Sequence, residues 1–114
     1  MTKICQVVIQ HKESYPYSVE FRIGEKVTVS DKMEGGWVWC KNKEGKGAWV
    51  PKDYLSKMGH IGTILFDYIS TELTVKVGEK PRLIKEESGW TFCVNKNGTR
   101  GWILTHKLEG YSEQ

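Results

Sequence analysis

The stretch GGWVWCKNKEGKGAWVPKDYL, residues 35–55, is followed later in the chain by the similar stretch SGWTFCVNKNGTRGWILTHKL, residues 88–108. The two copies align without a gap at a constant offset of 53 residues. The identical pairs are Gly36/Gly89, Trp37/Trp90, Cys40/Cys93, Asn42/Asn95, Lys43/Lys96, Gly45/Gly98, Trp49/Trp102 and Leu55/Leu108. A repeat sets the size of the folding unit. The 114-residue chain is therefore predicted to hold two small domains, each about half its length.

Short apolar alternations flank both copies and predict β-strands. The clearest run through Cys5, Val7 and Ile9, then Val19, Phe21 and Ile23, then Val27 and Val29. No segment shows a sustained helical period. Asn97-Gly98 predicts a tight hairpin turn with positive φ at both central residues, and Glu44-Gly45 occupies the matching place in the first copy. Strands of this length with regular turns are typical of a small all-β sandwich or barrel.

The charge and the cysteines bear on the class of partner and on the cellular location. The formal charge is +3 and the lysines are spread along the chain, whereas a nucleic-acid binder more often has a clustered basic stripe. Cys5, Cys40 and Cys93 are odd in number and widely spaced, which predicts buried reduced thiols and a cytoplasmic location. Neither a signal peptide nor a membrane span is apparent.

No pattern in the sequence indicates catalysis, a metal or a cofactor. The glycines are spaced as turns and no phosphate-binding GxxxxGK occurs. His11, His60 and His106 lie far apart and are predicted to be surface residues. No nucleophile has an evident orienting partner. We therefore expect a non-enzymatic protein.

Four motifs resemble those of Src-homology-3 (SH3) domains. Residues 64–68, ILFDY, resemble the family's ALYDY, and residues 72–79, ELTVKVGE, resemble its ELSFxxGD. Trp90 matches the tryptophan after the next loop, and residues 48–55, AWVPKDYL, resemble the closing motif. The resemblance implies two tandem SH3-like five-stranded small β-barrels, at residues 3–56 and 61–110, with a short linker at 57–60.

The alternation and the resemblance predict the same two cores. The first is expected to contain Cys5, Val7, Val19, Phe21, Val27, Val29, Cys40, Val50 and Leu55. The second is expected to contain Ile64, Leu73, Val75, Pro81, Leu83, Cys93, Ile103 and Leu108.

Members of the family bind extended proline-rich peptides in an aromatic groove, and each copy retains a different half of that groove. The first copy keeps the closing half: Trp37, Trp49, Pro51 and Tyr54. It has Ile9 and His11 where tyrosines are expected, with Tyr15 and Tyr17 nearby as substitutes. The second copy keeps Phe66, Tyr68, the acidic Glu72, Trp90 and Trp102, but Leu104 and Lys107 replace the groove's proline and tyrosine.

The leading hypothesis is an adaptor module that binds a protein or peptide partner, such as an extended or proline-rich segment. One alternative is a small-barrel binder of single-stranded nucleic acid through lysines and stacked aromatics. Another is a structural or assembly unit whose grooves are occluded between domains. A bacterial cell-wall-binding barrel is a further alternative, disfavoured by the missing export signal. We expect no membrane association, and a monomer or weak dimer.

Overall fold

The structure is a computed structural model that describes residues 3–14 and 18–111. Its elements are β-strands and two short 3-10 helices, at Lys52–Tyr54 and Thr105–Lys107. The strands are β1 (Ile4–Val7), β2 (Glu20–Phe21), β3 (Lys26–Glu34), β4 (Trp37–Lys41), β5 (Gly47–Pro51), β6 (Leu55–Met58), β7 (Ile61–Ile64), β8 (Tyr68–Ile69), β9 (Arg82–Glu87), β10 (Trp90–Val94), β11 (Arg100–Leu104) and β12 (Leu108–Tyr111). The all-β prediction is confirmed.

The chain forms two compact units that do not coincide with the two sequence copies. Unit 1 combines Met1–Tyr17 with Thr71–Gln114, and unit 2 is the continuous segment Ser18–Ser70. The two copies have thus exchanged their first strands. The N-terminal strand of the first copy lies in unit 1, and the corresponding strand of the second copy lies in unit 2.

Unit 2 contains a five-stranded antiparallel sheet in the order β5-β4-β3-β7-β6, together with the short pair β2-β8. The strand β7, which begins the second copy, lies between β3 and β6 of the first copy. Ile64 ends this strand with its side chain buried. The ILFDY segment therefore contributes to a barrel whose other strands come from the first copy.

Unit 1 has the matching five-stranded sheet in the order β11-β10-β9-β1-β12. Here β1, from the start of the chain, pairs antiparallel with β12 at the opposite end. Beyond β1, an isolated antiparallel bridge joins His11 to Val75. The apolar core of unit 1 includes a cluster of Val7, Leu73, Val75, Cys93 and Ile103.

The predicted linker does not separate the two units. Residues 57–60 belong to the hairpin of β6 and β7, where Met58 pairs with Ile61 across Gly59 and His60. The chain instead passes between the units at Tyr17/Ser18 and at Ser70/Thr71. As limits of the sequence repeat, 3–56 and 61–110 remain a prediction. The compact units of the structure have other limits, because strand pairing joins segments from both copies.

The core residues are buried as the alternation predicts, but three belong to the other unit. Cys5 and Val7 pack in unit 1 and Ile64 packs in unit 2. Most of the remaining predicted core residues are buried, while Leu55, Leu83 and Leu108 are half-buried. Alternation reports which side chain faces a core, and it carries no information on which of two equivalent cores receives it.

The two hairpins lie where Asn-Gly and Glu-Gly predicted them, but the turn type differs. Only the glycines, Gly45 and Gly98, have positive φ, at 83° and 82°. An asparagine before each turn organises it instead, since Asn95 Oδ1 accepts hydrogen bonds from the backbone N–H groups of Asn97 and Thr99. Such side-chain acceptors favour a longer turn in which only one residue must be left-handed.

Candidate functional site

Unit 2 brings together the two groove halves that the sequence copies keep separately. We define the aromatic cluster as Trp37, Trp49, Pro51, Tyr54, Phe66 and Tyr68. The first four come from β4, β5 and the first 3-10 helix, while Phe66 and Tyr68 follow β7. The sequence assigned these halves to different grooves. They meet because β7 inserts into the sheet of the first copy.

Ring contacts join the halves directly. The ring centroids of Tyr54 and Phe66 are 5.4 Å apart, and those of Tyr54 and Tyr68 are 5.8 Å apart, both edge-on. The Tyr68 hydroxyl donates a 2.7 Å hydrogen bond to the backbone carbonyl of Trp49. Edge-to-face pairs at these separations are favourable, so the rings hold one another in place.

Backbone hydrogen bonds fix the segment that carries Phe66. The N–H of Leu65 donates to the Tyr54 carbonyl at 2.8 Å. Asp67 accepts a 2.8 Å hydrogen bond from the N–H of Ile23. Asp67 thus has a structural role, and Phe66 is anchored on both sides.

The cluster exposes its members very unequally. Tyr54 is 5% exposed, and Tyr68 and Trp37 are also buried. Phe66 is 57% exposed, and the neighbouring Leu65 is exposed as well. Phe66 is therefore the ring most available to a ligand, and Tyr54 and Tyr68 support it.

In unit 1 a chain of polar side chains takes the places of Tyr54 and Tyr68. We call Lys107, His11 and Glu72 the polar chain. Lys107 Nζ lies 3.1 Å from His11 Nδ1, and His11 Nε2 lies 2.9 Å from Glu72 Oε1. A lysine ammonium can only donate, so Nδ1 accepts and Nε2–H donates to Glu72. Ser14 donates a second hydrogen bond to the same carboxylate oxygen at 3.1 Å.

The prediction that His11 is a surface residue is wrong, because its side chain is only 2% exposed. His11 occupies the strand position that Tyr68 has in unit 2, and its edge contacts Trp90 at a centroid distance of 5.6 Å. Burial lowers the pKa of His11 most; the Glu72 hydrogen bond raises it, and the charges of Lys107 and His106 lower it further. The imidazole is therefore held neutral at pH 7.

Unit 1 is expected to lose stability in mild acid because of His11. Its folded pKa lies below the ordinary 6.5, so below that pH the unfolded chain takes up a proton that the folded chain resists. The stability that unit 1 gains from a neutral His11 is fully present above about pH 6.5, and it is lost as the pH falls toward the pKa of His11 in the folded protein. Urea unfolding across this range measures it. His11→Gln should flatten the dependence of the stability on pH, and His60→Gln, at an exposed histidine of unit 2, is the control. An equal pH dependence in both variants would contradict the assignment.

The remaining predicted site residues divide between the surface and the interior. Trp90 is half-buried beside His11. Trp102 is buried and contacts Phe92 at a centroid distance of 4.9 Å. Tyr15 and Tyr17 lie outside the described residues. Trp102 is therefore a packing residue in unit 1, whereas its copy Trp49 is half-buried beside Trp39.

From the sequence alone, Lys107 is identified only as the residue that replaces the groove tyrosine, and it is not predicted to belong to a site. The repeat does contain a signal for it. Lys107 aligns with Tyr54 and His11 aligns with Tyr68, so two aromatic residues that touch in unit 2 are both replaced by polar residues that touch in unit 1. A paired change of this kind between copies indicates a contact.

The three cysteines are buried free thiols, as predicted. Burial raises the pKa of Cys40 to about 11 and that of Cys93 to about 12. Both are therefore protonated and unreactive at neutral pH. Within residues 3–14 and 18–111 no group of three histidine, cysteine or acidic side chains could hold a metal ion. The same part of the chain contains no helix that is long and apolar enough to cross a membrane.

Comparison with protein families supports the architecture. Residues 4–58 match the family model of the variant SH3 domain. The match ends at residue 58, so a second SH3 domain in the latter half stays a prediction from the repeat. No curated protein shows significant similarity to the chain. The chain thus has the SH3-like small β-barrel fold, and its residues 4–58 match the variant SH3 domain family.

Proposed function

We propose that the protein is an interaction module whose unit 2 binds an extended, proline-rich peptide segment at the aromatic cluster. The observation that supports the proposal is the contact of Tyr54 with Phe66 and Tyr68, because residues of the two predicted groove halves meet there in one unit. SH3-type domains are in general non-catalytic modules that bind protein partners, and this coarser assignment follows from the family match.

The physical basis is the stiffness of the peptide. A polyproline segment is already extended and loses little conformational entropy on docking, and flat rings accept its pyrrolidine faces. Phe66 offers the exposed ring, with Leu65 beside it as further apolar surface. Aromatic residues of this kind are frequent binding hot spots.

Unit 1 is proposed to have a different role from unit 2. Its counterpart site presents Lys107 and His11 where unit 2 presents Tyr54 and Tyr68. Glu72, the acid that the resemblance assigns to ligand binding, already accepts hydrogen bonds from His11 and Ser14. A basic ligand residue would have to share this carboxylate with both donors. We therefore expect one peptide per chain, bound at unit 2, and place the protein in the cytoplasm in keeping with its free thiols.

Phe66→Ala is expected to weaken peptide binding strongly. Removal of a central aromatic contact typically costs about 2 kcal/mol or more, which is roughly a 30-fold loss of affinity. Calorimetric titration with proline-rich peptides measures the change. Ile9→Ala is the matched control, because Ile9 aligns with Phe66 and is also exposed, but lies in unit 1.

Two outcomes would contradict the proposal. One is the absence of any binding up to millimolar peptide. The other is an equal loss in the Phe66→Ala and Ile9→Ala proteins, which would place the peptide elsewhere. A parallel titration with single-stranded nucleic acid at low salt tests the alternative partner class, since such binding is strongest there.

A further inference from the structure

The N-terminal strand β1 is an interior strand of the unit 1 sheet. It lies between β9 and β12. On one side Ile4, Cys5, Gln6 and Val7 pair in register with Tyr111, Gly110, Glu109 and Leu108. On the other side the Cys5 N–H donates to the Pro81 carbonyl at 2.9 Å, and the Val7 N–H donates to the Glu79 carbonyl at 2.8 Å. We call the edges of β12 and residues 78–83 that hold β1 the strand slot.

The slot cannot remain empty without a large penalty. Val7 is fully buried in the unit 1 core beside Val75 and Ile103. Without β1, the core would open to water and the backbone groups on both sides of the slot would lose their partners. Exposure of this apolar surface to water destabilises the unit. Unit 1 therefore requires an occupant of matching sequence.

Every contact that β1 makes in the slot is distant along the chain. Its partners lie in residues 78–83 and 108–111, while its own residues are 4–7. The partner groups are backbone and side-chain atoms that every copy of the protein carries in the same arrangement. The geometry that seats β1 is therefore satisfied equally by the β1 of another molecule.

We infer that the strand slot of one chain accepts the N-terminal strand of a second copy, so that the protein forms strand-exchanged dimers. The chain's own β1 and the β1 of a second chain compete for the slot, and the outcome depends on the protein concentration. A tethered strand has an effective concentration in the millimolar range. Dilute protein therefore fills its own slot, and exchange is favoured when chains refold together at high concentration.

A cross-chain disulfide tests the inference. Gln6 and Glu109 are directly opposite on β1 and β12. Opposed strand residues have Cβ atoms about 4.5–5.5 Å apart, close enough for a disulfide after small adjustment. Full-length Gln6→Cys and full-length Glu109→Cys are unfolded, mixed at about millimolar concentration, refolded and oxidised. The expected product is a disulfide-linked heterodimer whose yield increases with protein concentration.

The control replaces Glu109→Cys by Lys41→Cys, an exposed position in unit 2. The buried native thiols compete poorly for oxidation. Equal heterodimer yields from the two mixtures would overturn the inference. Light scattering of the wild-type protein refolded over the same concentration range does not depend on any variant. A dimer fraction that rises with concentration is expected, and a monomer at every concentration would also overturn it.

Discussion

Residues 18–70, produced alone, are expected to fold into a cooperative β-barrel, whereas residues 4–58 are not. The first fragment contains all the strands of unit 2, including β7 between β3 and β6. The second corresponds to the segment that matches the SH3 family, yet it lacks β7 and separates β1 from β12. A barrel of this size has a marginal core, so the loss of a central strand is expected to abolish folding.

Circular dichroism and urea unfolding of the two fragments measure this difference. The 18–70 fragment should show a single sigmoidal transition, and the 4–58 fragment should show none. A fragment of residues 18–58, which also lacks β7 but omits the N-terminal strand, is the control and should be unfolded too. A cooperative 4–58 fragment together with an unfolded 18–70 fragment would show that each copy folds on its own strands.

Ile64→Ala is expected to destabilise unit 2 although Ile64 belongs to the second sequence copy. Its side chain is 1% exposed in unit 2. Truncation of a buried isoleucine removes apolar contacts and leaves a cavity, at a cost of about 2–5 kcal/mol. Because small domains have total stabilities of about 5–15 kcal/mol, the change is a large fraction of the stability of unit 2.

Hydrogen exchange locates the effect. Amide protection is expected to fall in β3 and β4 and to persist in β10 and β11, since the last two belong to unit 1. Ile61→Ala is the matched control, because Ile61 lies on the same strand and is 52% exposed. If amide protection were lost in β10 and β11 while β3 and β4 were unaffected, Ile64 would pack in a barrel formed by its own sequence copy, which would contradict the prediction.

The sequence was sufficient to predict the class of fold and the burial of most core positions. Alternation places Val7 and Ile64 in a core because the period of a strand is a local property. It cannot choose between two cores that derive from the same repeat. Partner choice depends on contacts more than 50 residues away, as in β1 with β12, and no local pattern reports it.

The site was predictable in its parts and not in its assembly. Tyr54 and Phe66 were both recognised as groove residues, and the complementary losses in the two copies were apparent. The expectation that each copy builds its own groove kept them apart. The polar chain was missed for the same reason, since His11 and Lys107 become neighbours only when the first strand of one copy enters the barrel of the other.

The exchange of strands also changes how the duplication can evolve. A pair of independent repeats can lose one member and keep a working domain. Here each barrel is encoded by pieces of both repeats, so deletion of either repeat removes strands from both barrels. Substitutions at Tyr54 are likewise constrained by Phe66 and Tyr68, which are inherited with the other repeat. A change in one repeat therefore affects the packing of both barrels, and the two halves of the sequence are expected to evolve together.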